Sequence, residues 1–169
     1  MTDLLARLRV PLGFVLSSVV LWLARPTPRG LLLGAVVATA GEAIRVWAAG
    51  HLEKSREVTR SGPYQFTRHP LYLGSTIMGA GLAIASQSPR VALVILVYIV
   101  LTIGAAIRRE EAFLRRTFGT AYDEYAGGRV DVHRRFSLER AMRNREYRAV
   151  LGLAVAFLLL WARGTFASL

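Results

Sequence analysis

The chain has 169 residues, 53% of them hydrophobic, with a mean hydropathy of +0.37 and a formal net charge of +11. It contains no cysteine, which excludes disulfides, thiolate metal sites and cysteine nucleophiles. Its three histidines, His51, His69 and His133, lack the spacing of a zinc site, and in so apolar a chain the positive charge points to membrane topology rather than to nucleic acid.

The length fits a single domain covering 1–169. Five apolar stretches follow in order, at 10–24, 30–49, 71–85, 91–107 and 149–162. They predict an all-α polytopic membrane protein with about five transmembrane helices and a cytoplasmic helical segment in its C-terminal part. Several stretches fall short of the roughly 20 residues that span a bilayer core, so snorkelling ends or local thinning must make up the difference. The first follows Arg7 and Arg9 like a signal peptide, but Ala24-Arg25-Pro26 is no small-x-small cleavage site, and the stretch reads as a membrane helix. Turn residues mark the joints at Pro26-Thr27-Pro28, Ser61-Gly62-Pro63 and Ser86-Gln87-Ser88-Pro89. Beyond the fourth stretch, Phe113, Leu114, Phe118, Tyr122 and Tyr125 recur at helical spacing. They predict a helix over 108–125, broken by Gly127-Gly128.

The cations give an orientation. The N-terminus and the segments 50–70 and 108–148 carry seventeen Lys and Arg, against four at Arg25, Arg29, Arg90 and Arg163. The N-terminus and both long segments are therefore expected in the cytoplasm. Arginine outnumbers lysine 21 to 1 beside abundant Ala, Gly and Leu, a skew that matches GC-rich coding and suggests a bacterial inner membrane.

Two polar clusters stand at the cytoplasmic level. Pro70 suits the first position of the third predicted helix, which places Arg68 and His69 at its mouth beside the positive end of the dipole. Arg108–Gly119, RREEAFLRRTFG, lies where the fourth helix leaves the membrane. A hairpin turning at Ser86–Arg90 returns both clusters to one level, so Arg68, His69, Glu110 and Glu111 can face one pocket. Taken singly, Arg and His at a boundary read as headgroup contacts and a Glu pair as a solvated helix end. Arg108, Arg109, Arg115 and Arg116 read as lipid-facing or topology-setting. Glu42 and Arg45, three apart within the second stretch, are open between an intramembrane functional pair and a structural one. Gly79-Ala80-Gly81 lacks a preceding strand and reads as close helix packing, not as a dinucleotide loop.

Taken together, GPYQFTRHPLYLG and EEAFLRRTFGTAYDEY resemble the isoprenylcysteine carboxyl methyltransferase family and related membrane methyltransferases that act on phospholipids. The resemblance covers roughly 41–130. It implies S-adenosylmethionine as cofactor, held at the cytoplasmic helix ends by Tyr64, Arg68, His69, Pro70, Tyr72, Gly74, Glu110 and Glu111. It further implies Arg68 and Glu111 in catalysis, Arg129 and Tyr125 on the substrate side, and no metal. The chemistry suits these residues. Arg68 or the start of the third helix can hold the cofactor's carboxylate. Glu110 or Glu111 can accept from its ammonium or ribose, and Tyr64 and Tyr72 can line the adenine or the sulfonium. A carboxylate acceptor needs no base, whereas an amine must lose a proton, for which Glu111 is the candidate.

Two departures concern the substrate rather than the cofactor. Asp131 stands after Arg129-Val130 where the family tends to carry proline, and a further apolar helix near 149–162 follows the usual core. The expected function is a membrane methyltransferase, carboxyl O-methyltransferase-like, acting on a lipophilic small molecule or lipid that arrives from the bilayer. Membrane lipids are its surroundings, nucleic acid is not a partner, and the oligomeric state is open. The alternatives are an NADPH-dependent membrane reductase of the sterol-reductase type and a non-catalytic membrane scaffold.

Overall fold

The computed structural model describes residues 15, 17–54, 56–127 and 134–166. Among them the chain is helical without strands: residues 17–23, then α1 (Pro28–His51), a 3-10 turn (Gly62–Gln65), α2 (Pro70–Ser86), α3 (Pro89–Phe118), α4 (Thr120–Ala126), α5 (Leu138–Arg143) and α6 (Tyr147–Phe166).

Proline opens each of the first three named helices, where its missing N–H costs nothing. Thr27 caps α1 by accepting from the Gly30 amide at 3.1 Å. At the other joint α2 ends at Ser86, Gln87 takes a left-handed conformation at φ 49°, and Ser88 leads into α3. That two-residue connection makes α2 and α3 an antiparallel hairpin, as the turn residues predict.

Of the five expected membrane helices, three are long and apolar enough to cross a bilayer: α1, α3 and the Tyr147–Thr165 part of α6. The apolar α2 has 17 residues, about 25 Å of helix, and stretch 10–24 is only partly within the described residues. Apolar side chains face outward along these helices, among them Leu32, Leu33 and Val36 on α1 and Leu93, Val97 and Val100 on α3. Outward apolar faces of this extent belong in lipid.

Small residues set the helix spacing. A Cβ on Gly81 would lie 2.5 Å from the Ala38 amide nitrogen and 2.6 Å from the Gly34 carbonyl, and one on Gly41 would lie 2.6 Å from the Gly74 carbonyl. Gly79 takes the Ile99 side chain of α3. The Gly-Ala-Gly string is therefore helix packing, on two faces of α2. At the Ser86 end, Ala24, Ala85 and Leu160 form a small core, and the Arg25 amide bonds the Ser86 carbonyl at 2.8 Å.

At the opposite end, α5 covers the C-terminus of α1. The Asn144 amide donates to the carbonyls of Ala49 and Leu52, both at 2.9 Å, and Arg140 donates to the Gly50 carbonyl and, at 2.8 Å, to Glu53. These bonds satisfy carbonyls that a helix end leaves open. The Arg140 hydrogen bond is the first cause holding the Glu53 carboxyl below the usual carboxylate range.

The predicted helix over 108–125 is not continuous. Gly119 adopts φ 49° and ψ −122°, and the chain turns there into α4. Because that backbone suits only glycine, the helical spacing of the surrounding aromatics hides the break. The turn brings Tyr122 and Tyr125 back into a core with Ala48 and Tyr64, flanked by Leu52, Leu71 and Leu114. The second break lies at Gly127, after Ala126, and Gly128 is outside the described residues.

Candidate active site

The site forms where the His51 end of α1, the start of α2 and the distal part of α3 meet. Arg68 and His69 immediately precede α2, and His69 is its N-cap residue, its carbonyl accepting from the amides of Tyr72 and Leu73 at 3.1 and 3.0 Å. Running back along the hairpin, α3 delivers Glu111 to the same place. Its carboxylate Oε1 lies 3.1 Å from His69 Nε2 and 3.5 Å from Arg68 Nη1. An ionised carboxylate only accepts, so Nε2 is the donor. Of the four residues expected to face one pocket, Arg68, His69, Glu110 and Glu111, the fold brings Arg68, His69 and Glu111 into direct contact.

Glu110 precedes Glu111 by one helical step and points elsewhere. It lies beside Tyr72, and its charge reaches the Tyr64 phenol. Tyr64 is buried, and burial followed by the charge of Glu110 pushes its phenol above its ordinary range. The His69 and Tyr72 rings lie 5.8 Å apart, tilted by 34°. Pro70 is fully buried as the first residue of α2. Gly74 is turned toward α1, where the Arg45 side chain and the Gly41 carbonyl fill the place of a Cβ.

Tyr125 donates its hydroxyl to the Tyr64 carbonyl at 2.7 Å, and burial raises its phenol to about 12. Expected on the substrate side, Tyr125 here ties α4 to the backbone of Tyr64 through its hydroxyl. Replacing it by phenylalanine leaves that buried carbonyl without this donor. Tyr125→Phe is expected to cost about 1–2 kcal/mol, read as a lower melting temperature in detergent. Arg129 lies outside the described residues.

Two buried polar atoms at this mouth, His69 Nδ1 and Tyr122 Oη, make no hydrogen bond within the protein. Tyr122 is fully buried beside Glu111 and Arg68, and burial first, then the Glu111 charge, raises its phenol. Sequence reasoning gave Tyr122 no role in the site. The signal that places it there is Gly119, which redirects the chain three residues earlier.

A second polar group lies deeper. Arg45 Nε is 2.7 Å from Glu146 and 3.7 Å from Glu42, and its Nη1 donates to Ser75 Oγ and, at 3.4 Å, to the Leu71 carbonyl. Glu146, just before α6, carries no motif and went unnoticed in the sequence. Among the described residues no group of three or more His, Cys, Asp or Glu is arranged to hold a metal ion.

Apolar spans with a charged, partly buried mouth at one end define an integral membrane protein. The family model of phospholipid methyltransferase matches residues 30–121, and the chain belongs to that family. Curated relatives include the nickel-cobalt-cadmium resistance protein NccN of Alcaligenes xylosoxydans xylosoxydans, 34% identical over 112 residues, which are 65% of this chain and 51% of the relative. The cobalt-zinc-cadmium resistance protein CzcN of Cupriavidus metallidurans is 32% identical over 139 residues, 78% of this chain and 64% of the relative. A probable protein-S-isoprenylcysteine O-methyltransferase of Oryza sativa subsp. indica is 31% identical over 90 residues, 53% of this chain and 47% of the relative. The chain thus spans about half to two thirds of the length of these relatives. No solved structure matches it.

Proposed function

We propose that this chain is an S-adenosylmethionine-dependent methyltransferase acting on a lipophilic substrate that reaches the site from the bilayer. The observation that carries the reading is the meeting of Arg68 and His69 with Glu111, beside the unpartnered buried atoms His69 Nδ1 and Tyr122 Oη. These groups fit the cofactor's polar parts. Arg68, about half exposed at the mouth, offers a guanidinium to a carboxylate. His69 Nδ1, with Nε2 committed to Glu111, can accept from a hydroxyl or an ammonium, and Tyr122 can donate. Glu110 and Glu111 supply acceptors for a cationic amino group. The raised phenols of Tyr64, Tyr122 and Tyr125 stay protonated at neutral pH and serve as donors and packing surfaces.

When bound, the cofactor supplies an electrophilic methyl group on a sulfonium. What the protein adds is orientation of the acceptor, aromatic walls at Tyr64 and Tyr72 that tolerate positive charge, and exclusion of water. By family resemblance the acceptor is a carboxylate of isoprenylcysteine type, which needs no base. If it is a lipid amine, Glu111 is placed to take the proton. We place the N-terminus and this site on the cytoplasmic side, from the excess of cations at the Arg68 end.

Titration of the purified protein in nanodiscs tests the reading. Wild type is expected to bind S-adenosylmethionine, and Arg68→Ala to weaken binding by about tenfold. Labelled-methyl transfer over lipid extracts then identifies the acceptor class. Binding of a reduced nicotinamide cofactor without any binding of S-adenosylmethionine would overturn the methyltransferase reading.

A further inference from the structure

Residues 138–166 lie beyond the family-matched 30–121, yet they reach back to the helix that carries the site. The link is Glu146. Between α5 and α6 the chain turns through Asn144, Arg145 and Glu146, with Arg145 in the left-handed region at φ 61°. A bulky non-glycine residue adopts that conformation only where its surroundings impose it. Here the flanking side chains do so: Asn144 bonds two carbonyls at the end of α1, and Glu146 points inward to Arg45.

Glu146 is only 7% exposed, and its Oε1 stands 2.7 Å from Arg45 Nε. The Arg45 stem crosses α2 at Gly74, in the space a Cβ would fill. Its Nη1 donates to Ser75 Oγ and to the Leu71 carbonyl, which Ser75 Oγ also bonds at 2.8 Å. Leu71 is the second residue of α2, two beyond His69 and one before Tyr72. A guanidinium is planar and rigid, so fixing Nε fixes the direction of Nη1. Glu42 sits 3.7 Å from the same Nε, an ångström farther than Glu146. Glu146 is therefore the nearer counterion of Arg45, and the local Glu42–Arg45 spacing is not the closest charge pairing this arginine makes.

We propose that Glu146 and Arg45 are positioning residues. The pair locks the first turn of α2, and with it His69 and Tyr72, in the orientation that meets Glu111 and Glu110. The C-terminal segment of α5 and α6 thus completes the binding site without touching the ligand. That last step rests on the methyltransferase reading, whereas the locking of α2 does not.

The experiment has two readouts on the full chain in nanodiscs: amide hydrogen exchange across 70–76 and affinity for S-adenosylmethionine. Glu146→Gln is expected to speed exchange in that turn by about tenfold and to weaken binding by about fivefold. Glu146→Asp is expected to restore part of both. Thr27→Ala, which removes the cap at the other end of α1 without touching Arg45 or α5, is expected to leave exchange across 70–76 unchanged, as is Glu42→Gln. Should Glu146→Gln fail to fold, Ser75→Ala removes one Arg45 acceptor and is expected to shift exchange in the same direction. Wild-type exchange across 70–76 in the folded Glu146 or Ser75 variant overturns the proposal. An equal loosening in Thr27→Ala overturns it too, because the effect would then be general destabilisation. Absence of cofactor binding by wild type would fell the methyltransferase reading alone, with the exchange arm still deciding the role of Glu146.

Discussion

Glu111→Gln is expected to weaken S-adenosylmethionine binding by about tenfold or more, roughly 1.4 kcal/mol, while the protein stays folded. The two effects separate because of where Glu111 sits. Its Arg68 partner is about half exposed at 3.5 Å, and an ion pair so open to solvent adds little to stability. Glutamine keeps an oxygen that can accept from His69 Nε2, so the imidazole retains its orientation. What disappears is the negative charge, and with it the charge-assisted bonds that a cationic amino group would receive, about twice as strong as neutral ones. Titration in nanodiscs beside a thermal melt checks both halves. A melting temperature that falls together with affinity would reassign Glu111 to the fold.

The second large effect falls on packing. Gly81→Leu is expected to abolish the folded protein, because even a Cβ there would meet the backbone of α1 at 2.5 and 2.6 Å. Backbone cannot rotate aside as a side-chain tip can, so α1 and α2 must separate. Gly81→Ala alone is expected to cost about 1–3 kcal/mol by overpacking. Gly152 on α6 is the internal control: nothing lies within 4 Å of its Cβ position. Gly152→Leu is expected to be tolerated, with better helix propensity by somewhat under about 1 kcal/mol. Monodispersity and melting temperature in detergent distinguish the three variants. Loss of α1–α2 contact also removes the Arg45 bonds to α2, so partially folded Gly81→Ala is expected to show weakened cofactor affinity as well.

Glu111 was readable before any coordinates because its position follows from arithmetic along one hairpin. Proline at 70 and 89 starts two helices and Ser86–Ser88 supplies the turn between them, so α3 runs back past the level at which α2 begins and carries Glu111 to His69. Local rules of this kind need no knowledge of the rest of the molecule. Gly81 was readable in kind, as a small residue in an apolar helix, but which neighbour it met was not.

Other features resisted. The break at Gly119 depends on a positive φ that the sequence pattern does not express, and the aromatic spacing from Phe113 to Tyr125 pointed to a continuous helix. Tyr122 and Tyr125 consequently sit in a core with Tyr64 instead of trailing along α3. Arg45 had a local acidic neighbour in Glu42, and local spacing alone weights that pair. Its 2.7 Å partner is about a hundred residues away, brought there by α5 docking on the carbonyls of α1.

The apolar helices that the amino-acid sequence announced now have distinct parts to play. By itself the sequence determined the membrane setting, the helix starts, the hairpin and the meeting of the RHPLYLG and EE segments, all properties of contiguous residues with their own periodicity and caps. Only the tertiary structure decided which carboxylate holds Arg45, where α3 bends and which tyrosines face the site. Those outcomes turn on helix docking through small residues and buried polar partners far apart in the chain, and no local pattern carries such pairings.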